Sequence, residues 1–184
     1  MQFFFIYAQD TIYLEKDTSL WTTGPKVHFI ANSIAKTNEQ NKIISGFISK
    51  DEYIWTAERL IRFKKGTEVQ FDDKGNVISG VLNENLDIRT PGGYVLFKKG
   101  TKIRFGETGK VIEGYLMRNT LLKSNTKNIL FKAGTLIRFD KMGNVLHGTL
   151  AERRHLDCSN GKNRTFKSGR IIEFNEEFKV IVNK

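Results

Sequence analysis

One pattern recurs along this chain of 184 residues. Its clearest marker, Phe-Lys-x-Gly, begins at Phe63, Phe97, Phe131 and Phe166, so successive copies begin 34, 34 and 35 positions apart. A fixed period in this range is typical of repeat proteins, in which each repeat is one supersecondary element stacked on its neighbours. The period therefore predicts one continuous domain of about five repeats.

Each regular repeat contains the pattern of a β-hairpin. In Glu68–Phe71 apolar side chains alternate with polar ones, and a second alternating stretch, Val77–Leu82, follows after a turn that ends in Gly75. Alternation with a period of two is typical of a strand with one buried face. A glycine at the end of the turn can adopt the left-handed conformation without strain. The sequence predicts equivalent hairpins at 102–116 and 136–150, and irregular links between hairpins at 83–94, 117–128 and 151–163.

The first repeat, residues 11–62, is more divergent. We align Lys26–Phe29 with Lys102–Phe105, which places Trp21 at the position of the marker phenylalanine. This alignment leaves an insertion of eight residues within Ile30–Asn41. Terminal repeats are often atypical because they close the exposed end of a stack.

The three regular repeats occupy residues 63–165, and two further segments lie at the ends of the chain. Residues 1–10 have two open interpretations, a truncated signal peptide or a first strand, because an apolar run precedes Ala8 but a charged n-region is missing. Residues 166–184 are predicted to be a degenerate capping repeat, in which Phe178 replaces the turn glycine. The charged residues of this last segment fit an edge strand that is protected against pairing with another molecule.

The sequence thus predicts an all-β fold: a tandem β-hairpin repeat array, or β-solenoid-like stack, of about five repeats with little helix. A small closed β-propeller is the alternative, and it requires the first and last repeats to meet. A glycine inside a strand often marks a close approach of another element. We therefore expect tight packing at the recurring strand glycines, which are Gly46, Gly80, Gly114 and Gly148.

The pattern F-K-x-G-T-x-I-x-F-x-x-x-G-x-V-x-x-G-x-L, seen in Phe97–Leu116, resembles the tandem repeats of uncharacterised exported bacterial proteins, including spirochaete ones. It is more loosely similar to hairpin repeats of the MORN type. The resemblance extends from Pro25 to the C-terminus. It implies a scaffold or binding array without catalysis and transfers no functional residue. It also implies export to the periplasm, envelope or medium, with a cytoplasmic location as the alternative.

Basic residues recur at fixed positions of the repeat, in a chain with a formal net charge of +10 and a pI of about 9.7. Aligned like charges repel each other, so their recurrence suggests an elongated anionic partner such as a glycan or lipopolysaccharide. The alternative is a set of solvated lysines whose aliphatic stems cover the neighbouring phenylalanine. The candidate anion-binding residues are Lys64, Lys98, Lys132 and Lys167 at one position, Lys65 and Lys99 one residue later, and Arg104 and Arg138 in a second column.

Other kinds of site find little support. The three histidines and the single cysteine, Cys158, do not lie at metal-ligand spacing. No nucleophile motif, P-loop or dinucleotide fingerprint occurs, and no sequence-specific nucleic-acid motif is present. No apolar run is long enough for a transmembrane helix. We therefore expect a non-catalytic protein without metal or cofactor, which binds an anionic polymer or, as the alternative, acts as a spacer or binds a protein along a sheet face.

Overall fold

The computed structural model describes residues 11–90, 93–125 and 127–182. Within these ranges the chain is all-β and contains no helix. The strands in chain order are β1 (Thr11–Leu14), β2 (Thr18–Trp21), β3 (Lys26–Phe29), β4 (Ser33–Thr37), β5 (Ile43–Phe47), β6 (Glu52–Trp55), β7 (Leu60–Phe63), β8 (Glu68–Phe71), β9 (Val77–Val81), β10 (Leu86–Thr90), β11 (Gly93–Phe97), β12 (Lys102–Phe105), β13 (Val111–Tyr115), β14 (Thr120–Ser124), β15 (Lys127–Phe131), β16 (Leu136–Phe139), β17 (Val145–Thr149), β18 (Arg154–Asp157), β19 (Asn163–Phe166) and β20 (Ile171–Glu173).

The strands form one large sheet and five separate hairpins. The large sheet, called the main sheet below, is antiparallel with the order β1-β4-β5-β8-β9-β12-β13-β16-β17-β20. The outer hairpins are β2–β3, β6–β7, β10–β11, β14–β15 and β18–β19. The tandem hairpin array is therefore confirmed. The propeller alternative is wrong, because the order of the main sheet does not divide into the separate blades that a propeller needs.

The outer hairpins correct the prediction of irregular links. Residues 83–94, 117–128 and 151–163 contain β10, β14 and β18, each of which pairs with the strand that ends in the marker phenylalanine. One repeat is thus an outer hairpin followed by a main-sheet hairpin. In Leu86-Asp87-Ile88 apolar and polar side chains alternate, and this pattern could have predicted the strand in the first link.

The strand pairing also corrects the alignment of the first repeat. Phe29 forms an isolated bridge with Ile48, as Phe63 does with Leu82 and Phe97 with Leu116. Phe29 is therefore the marker phenylalanine of the first repeat, and it precedes Phe63 by the same interval that separates Phe63 from Phe97. With Phe29 as the marker, the first repeat has the same length as the next one, so the insertion proposed within 30–41 does not exist. That segment instead contains β4 of the main sheet.

The marker phenylalanines of the first four repeats form the core between the outer hairpins and the main sheet. Phe29, Phe63, Phe97 and Phe131 are each 0% exposed. A Cβ atom added to Gly80 would lie 2.5 Å from Cδ1 of Phe63, and one added to Gly148 would lie 2.5 Å from Cδ1 of Phe131. At these positions glycine is therefore needed because the phenylalanine ring occupies the space of a side chain, as the recurrence predicted.

The tips of the main-sheet hairpins use the predicted left-handed residue. Gly75, Gly109 and Gly143 have φ angles of 83°, 80° and 83°. In the last repeat Phe178 takes the same role with φ at 56°, and its N–H donates to the carbonyl oxygen of Asn175 (2.9 Å). A phenylalanine in this conformation is strained, because its Cβ crowds the backbone.

The contacts divide the chain into two compact units, which are described separately below. Of the described residues, the first unit contains 11–84 together with Lys102–Lys110. The second unit contains residues 85–90, 93–101, 111–125 and 127–182. The prediction of one continuous domain stays a prediction, and residues 1–10, with their two interpretations, lie outside the described residues.

Candidate anion-binding edge

The predicted lysines lie in the loops that join the outer hairpins to the main sheet. We call these loops the link loops: they follow each marker phenylalanine and each main-sheet hairpin. Hydrogen bonds hold adjacent link loops together. The N–H of Gly66 donates to the carbonyl oxygen of Ile48 (2.8 Å), and the N–H of Gly134 donates to that of Leu116 (2.7 Å). The lysines are therefore carried on a fixed backbone.

Most residues of a link loop have a clear structural role. In the loop after Phe97, the N–H of Lys98 donates to the carbonyl oxygen of Tyr115 (2.8 Å). Gly100 has a left-handed φ of 72°, and the hydroxyl of Thr101 donates to the carbonyl oxygen of Lys98 (2.6 Å). The phenylalanine, glycine and threonine of the motif thus recur because they shape the loop.

A side-chain acceptor that the sequence interpretation missed completes the loop after each of the first four marker phenylalanines. Asn85 Oδ1 accepts a hydrogen bond from the N–H of Lys99, and Asn119 Oδ1 accepts one from Ala133, each at 2.8 Å. In the first unit Asp17 and Asp51 make the same bond, to Ala31 at 2.7 Å and Lys65 at 2.8 Å. These four acceptors follow one another at the interval of the repeat, so an alignment of the repeats could have identified them.

The lysine side chains have no comparable role. Lys64, Lys65, Lys98, Lys99, Lys132 and Lys167 are all exposed. Within the described part of the chain, their ammonium groups make no ion pair. The backbone of the loop does not depend on which side chain stands at this position, because its bonds use main-chain atoms.

The sheet sets the spacing of the lysines in the second unit. Lys98 is bonded through its N–H to β13, and Lys132 is bonded in the same way to Thr149 of β17 (2.8 Å). One strand, β16, lies between β13 and β17. Since neighbouring strands are about 4.8 Å apart, the two backbone positions are separated by about 10 Å.

The two arginines lie elsewhere, in the middle of main-sheet strands. Arg104 on β12 is exposed and lies opposite Ser79 of β9 in the first unit. Arg138 on β16 in the second unit is half-buried; its Nη2 is 3.0 Å from Nδ1 of His147 and 3.8 Å from a carboxylate oxygen of Glu173. Arg138 therefore already has protein partners, unlike the exposed lysines of the link loops.

Arg138 belongs to a row of charged side chains across four strands of the second unit. Glu113 lies opposite Arg138, which lies opposite His147, which lies opposite Glu173. Burial and, next, the positive charge of Arg138 lower the pKa of His147, while Glu173 and Glu113 oppose this shift. The equivalent strands of the first unit carry Ser45, Gln70, Ser79 and Arg104 in this row, so only one of those four side chains is charged.

Cys158 occupies a structural position. It is buried at the end of the first strand of its outer hairpin, where earlier repeats have Thr22, Thr56 and Ser124, also buried. Each of these hydroxyls donates to a nearby carbonyl oxygen, as that of Thr22 does to Pro25 (2.8 Å). The cysteine thus replaces a small buried hydroxyl residue.

The described residues form neither a metal-binding cluster nor a membrane-spanning helix. No group of three or more histidine, cysteine, aspartate or glutamate side chains in residues 11–90, 93–125 and 127–182 could hold a metal ion. In the same ranges no helix has the length and apolar character needed to cross a membrane. Comparisons with protein-family profiles, with curated proteins and with solved structures find no match for this chain. The resemblance to exported repeat proteins and to MORN repeats therefore stays a prediction.

Proposed function

We propose that this protein is a non-catalytic interaction module that binds an anionic polymer, such as a glycan or lipopolysaccharide, along the link loops of its second unit. The observation that supports this proposal is the exposure of Lys98, Lys99, Lys132 and Lys167 in loops where the other recurring residues have structural roles. A recurring side chain without a structural role is best explained by a ligand.

The charge of these loops favours the second unit over the first. The link loops of the second unit, residues 98–100, 117–119, 132–134, 151–153 and 167–169, contain six basic side chains and one acidic one. The link loops of the first unit, residues 15–17, 30–32, 49–51, 64–66 and 83–84, contain four of each. Cations at regular intervals bind an extended polyanion by releasing its counterions, and this binding weakens with salt.

The test is retention on immobilised heparin and on immobilised lipopolysaccharide over a salt series. We expect a Lys98/Lys99/Lys132/Lys167→Gln variant to elute at clearly lower salt than the wild type. The matched control is Lys110/Lys123/Lys141/Lys162→Gln, which removes four exposed lysines outside the link loops and changes the net charge equally. Equal losses in both variants would show that only net charge matters and would contradict the proposal.

The alternative of a protein partner requires a large exposed apolar patch on a sheet face. On the main sheet of the first unit, Ile34 and Phe47 are exposed on adjacent strands. Two side chains are a small patch for such a partner, so we rank this function second. Export and the absence of catalysis remain parts of the proposal.

A further inference from the structure

The first unit exposes aromatic side chains on the outward face of two consecutive outer hairpins. Trp21 of β2–β3 is 58% exposed, and Tyr53 and Trp55 of β6–β7 are each 56% exposed. Leu60 lies opposite Trp55 and is also exposed. We call Trp21, Tyr53, Trp55 and Leu60 the aromatic face.

The aromatic face does not contribute to the core. In both hairpins the inward positions hold the buried residues, such as Val27, Ile54 and Ile61, while the aromatic face occupies the alternate outward positions. Trp21 and Trp55 are separated by the interval of the repeat and hold the same position in consecutive repeats. Clustered exposed aromatic rings are unusual on a protein surface and indicate a binding site.

Contacts between the two hairpins hold the aromatic face together. Glu52 at the start of β6 accepts a hydrogen bond from the N–H of His28 (3.2 Å) and is 2.9 Å from Nδ1 of the same residue. The N–H of Ser49 donates to the carbonyl oxygen of His28 (2.9 Å). Within the β6–β7 hairpin, the guanidinium carbon of Arg62 lies 5.7 Å from the centre of the Tyr53 ring, which is within cation–π range.

The charges beside the rings indicate the chemistry of the ligand. Lys26 lies opposite Trp21 in the hairpin, and Arg62 lies opposite Tyr53. The outward positions of these two hairpins carry no carboxylate or amide side chain, the groups that best bind the hydroxyls of a neutral sugar. Two nearby acids have partners: Glu52 contacts His28, and Asp51 caps Lys65 and lies 3.8 Å from Arg62. A third, Glu58, is exposed in the turn between β6 and β7.

From this combination we infer that the aromatic face of the first unit binds single-stranded nucleic acid without sequence specificity. Unpaired bases stack on Trp21, Tyr53 and Trp55, and the phosphates lie near Lys26 and Arg62. Aromatic platforms beside cations are how proteins bind single strands without reading their sequence. This site is independent of the link loops of the second unit, because its residues belong to another set of elements.

The chain provides its own probe, since Trp21 and Trp55 are its only tryptophans. The experiment titrates the whole chain with a 15-nucleotide oligothymidylate at low salt and follows tryptophan emission. We expect saturable quenching that weakens as salt is raised. Heparin should produce no comparable quenching, because it carries the charge but has no bases.

Substitutions then assign the site. Trp55→Ala keeps Trp21 as the probe and should weaken oligothymidylate binding by about 5- to 150-fold, the range for loss of one stacked base. Tyr94→Ala, at an exposed tyrosine of the second unit, is the control and should leave the affinity unchanged. Trp55 is exposed, so its replacement should not alter the melting temperature, which is measured alongside.

Three results would overturn this inference. The first is an absence of quenching by oligothymidylate. The second is tighter binding of a neutral oligosaccharide than of oligothymidylate at the same tryptophans, which would assign the face to a glycan. The third is loss of oligothymidylate binding in the Lys98/Lys99/Lys132/Lys167→Gln variant, which would place the nucleic acid on the link loops. Failure to bind heparin would contradict only the proposed function.

Discussion

The link loops of the two units have the same backbone and different charges. In the first unit Asp17 and Asp51 accept the hydrogen bond that shapes the loop, and in the second unit Asn85 and Asn119 accept it at nearly the same distance. A carboxylate and an amide oxygen are both good acceptors for a backbone N–H. The difference shows that the charge of this edge can vary while the fold stays constant, and that the basic edge is a property of the second unit.

If both units use one packing scheme, equivalent glycine substitutions should damage them equally. We expect Gly80→Ala and Gly148→Ala each to lower the free energy of unfolding by about 1–3 kcal/mol, because the new methyl group overlaps a fully buried phenylalanine ring. Urea denaturation measures the loss. In a double-mutant cycle, Phe63→Leu should recover part of the loss at Gly80. Losses below about 0.5 kcal/mol at both sites would contradict the packing.

Exchanging the loop acceptors between amide and carboxylate should change the binding of heparin without changing the stability of the fold. We expect the Asn85→Asp/Asn119→Asp variant to keep the urea midpoint of the wild type, since Asp51 makes the same bond in the first unit. Its elution from heparin should move to lower salt, because two negative charges join the link loops of the second unit.

The controls for this exchange change the acceptors at the same position of the repeat. Asp17→Asn/Asp51→Asn removes two negative charges from the first unit and should shift the elution from heparin less than the exchange in the second unit does. Asn119→Ala removes the acceptor and should cost about 1 kcal/mol of stability. An unchanged elution position for both exchanged variants would show that the link loops do not contact heparin.

The smallest expected effect is a pH dependence that arises in the second unit. The pKa of His147 is lower in the folded protein than in the unfolded chain, first because of burial and then because of Arg138, with Glu113 and Glu173 opposing. The unfolded chain therefore binds more protons between the two pKa values. Stability is full above the unfolded value of about 6.5 and decreases as the pH falls below it towards the folded value.

Melting temperatures at pH 8 and pH 5.5 measure this effect. In the wild type we expect His147 to contribute a small decrease in melting temperature at the lower pH. His147→Gln removes the titrating group, so its decrease should be smaller than that of the wild type. The equivalent residue of the first unit is Ser79, which does not titrate in this range. A decrease as large in the variant would assign the pH dependence to other groups.

Part of the candidate site could be predicted from the sequence. The period and the position of Lys98 after Phe97 were sufficient to place the lysines together in exposed loops. The different surroundings of Arg138 could not be predicted, because its contacts with His147 and Glu173 depend on which strands become neighbours in the sheet. The aromatic face was also missed, since the alignment of the first repeat placed Trp21 at a core position.

The sequence by itself determined the repeat length, the main-sheet hairpins and their glycine turns, because each depends on local spacing and backbone conformation. Only the tertiary structure decided which strands belong to the outer hairpins and which belong to the main sheet. Leu60–Phe63 and Leu136–Phe139 have the same sequence, Leu-Ile-Arg-Phe, yet the first is a strand of an outer hairpin and the second is a strand of the main sheet. Alternation specifies one buried face for both. The layer that this face packs against depends on the neighbouring strands, which a local pattern does not contain.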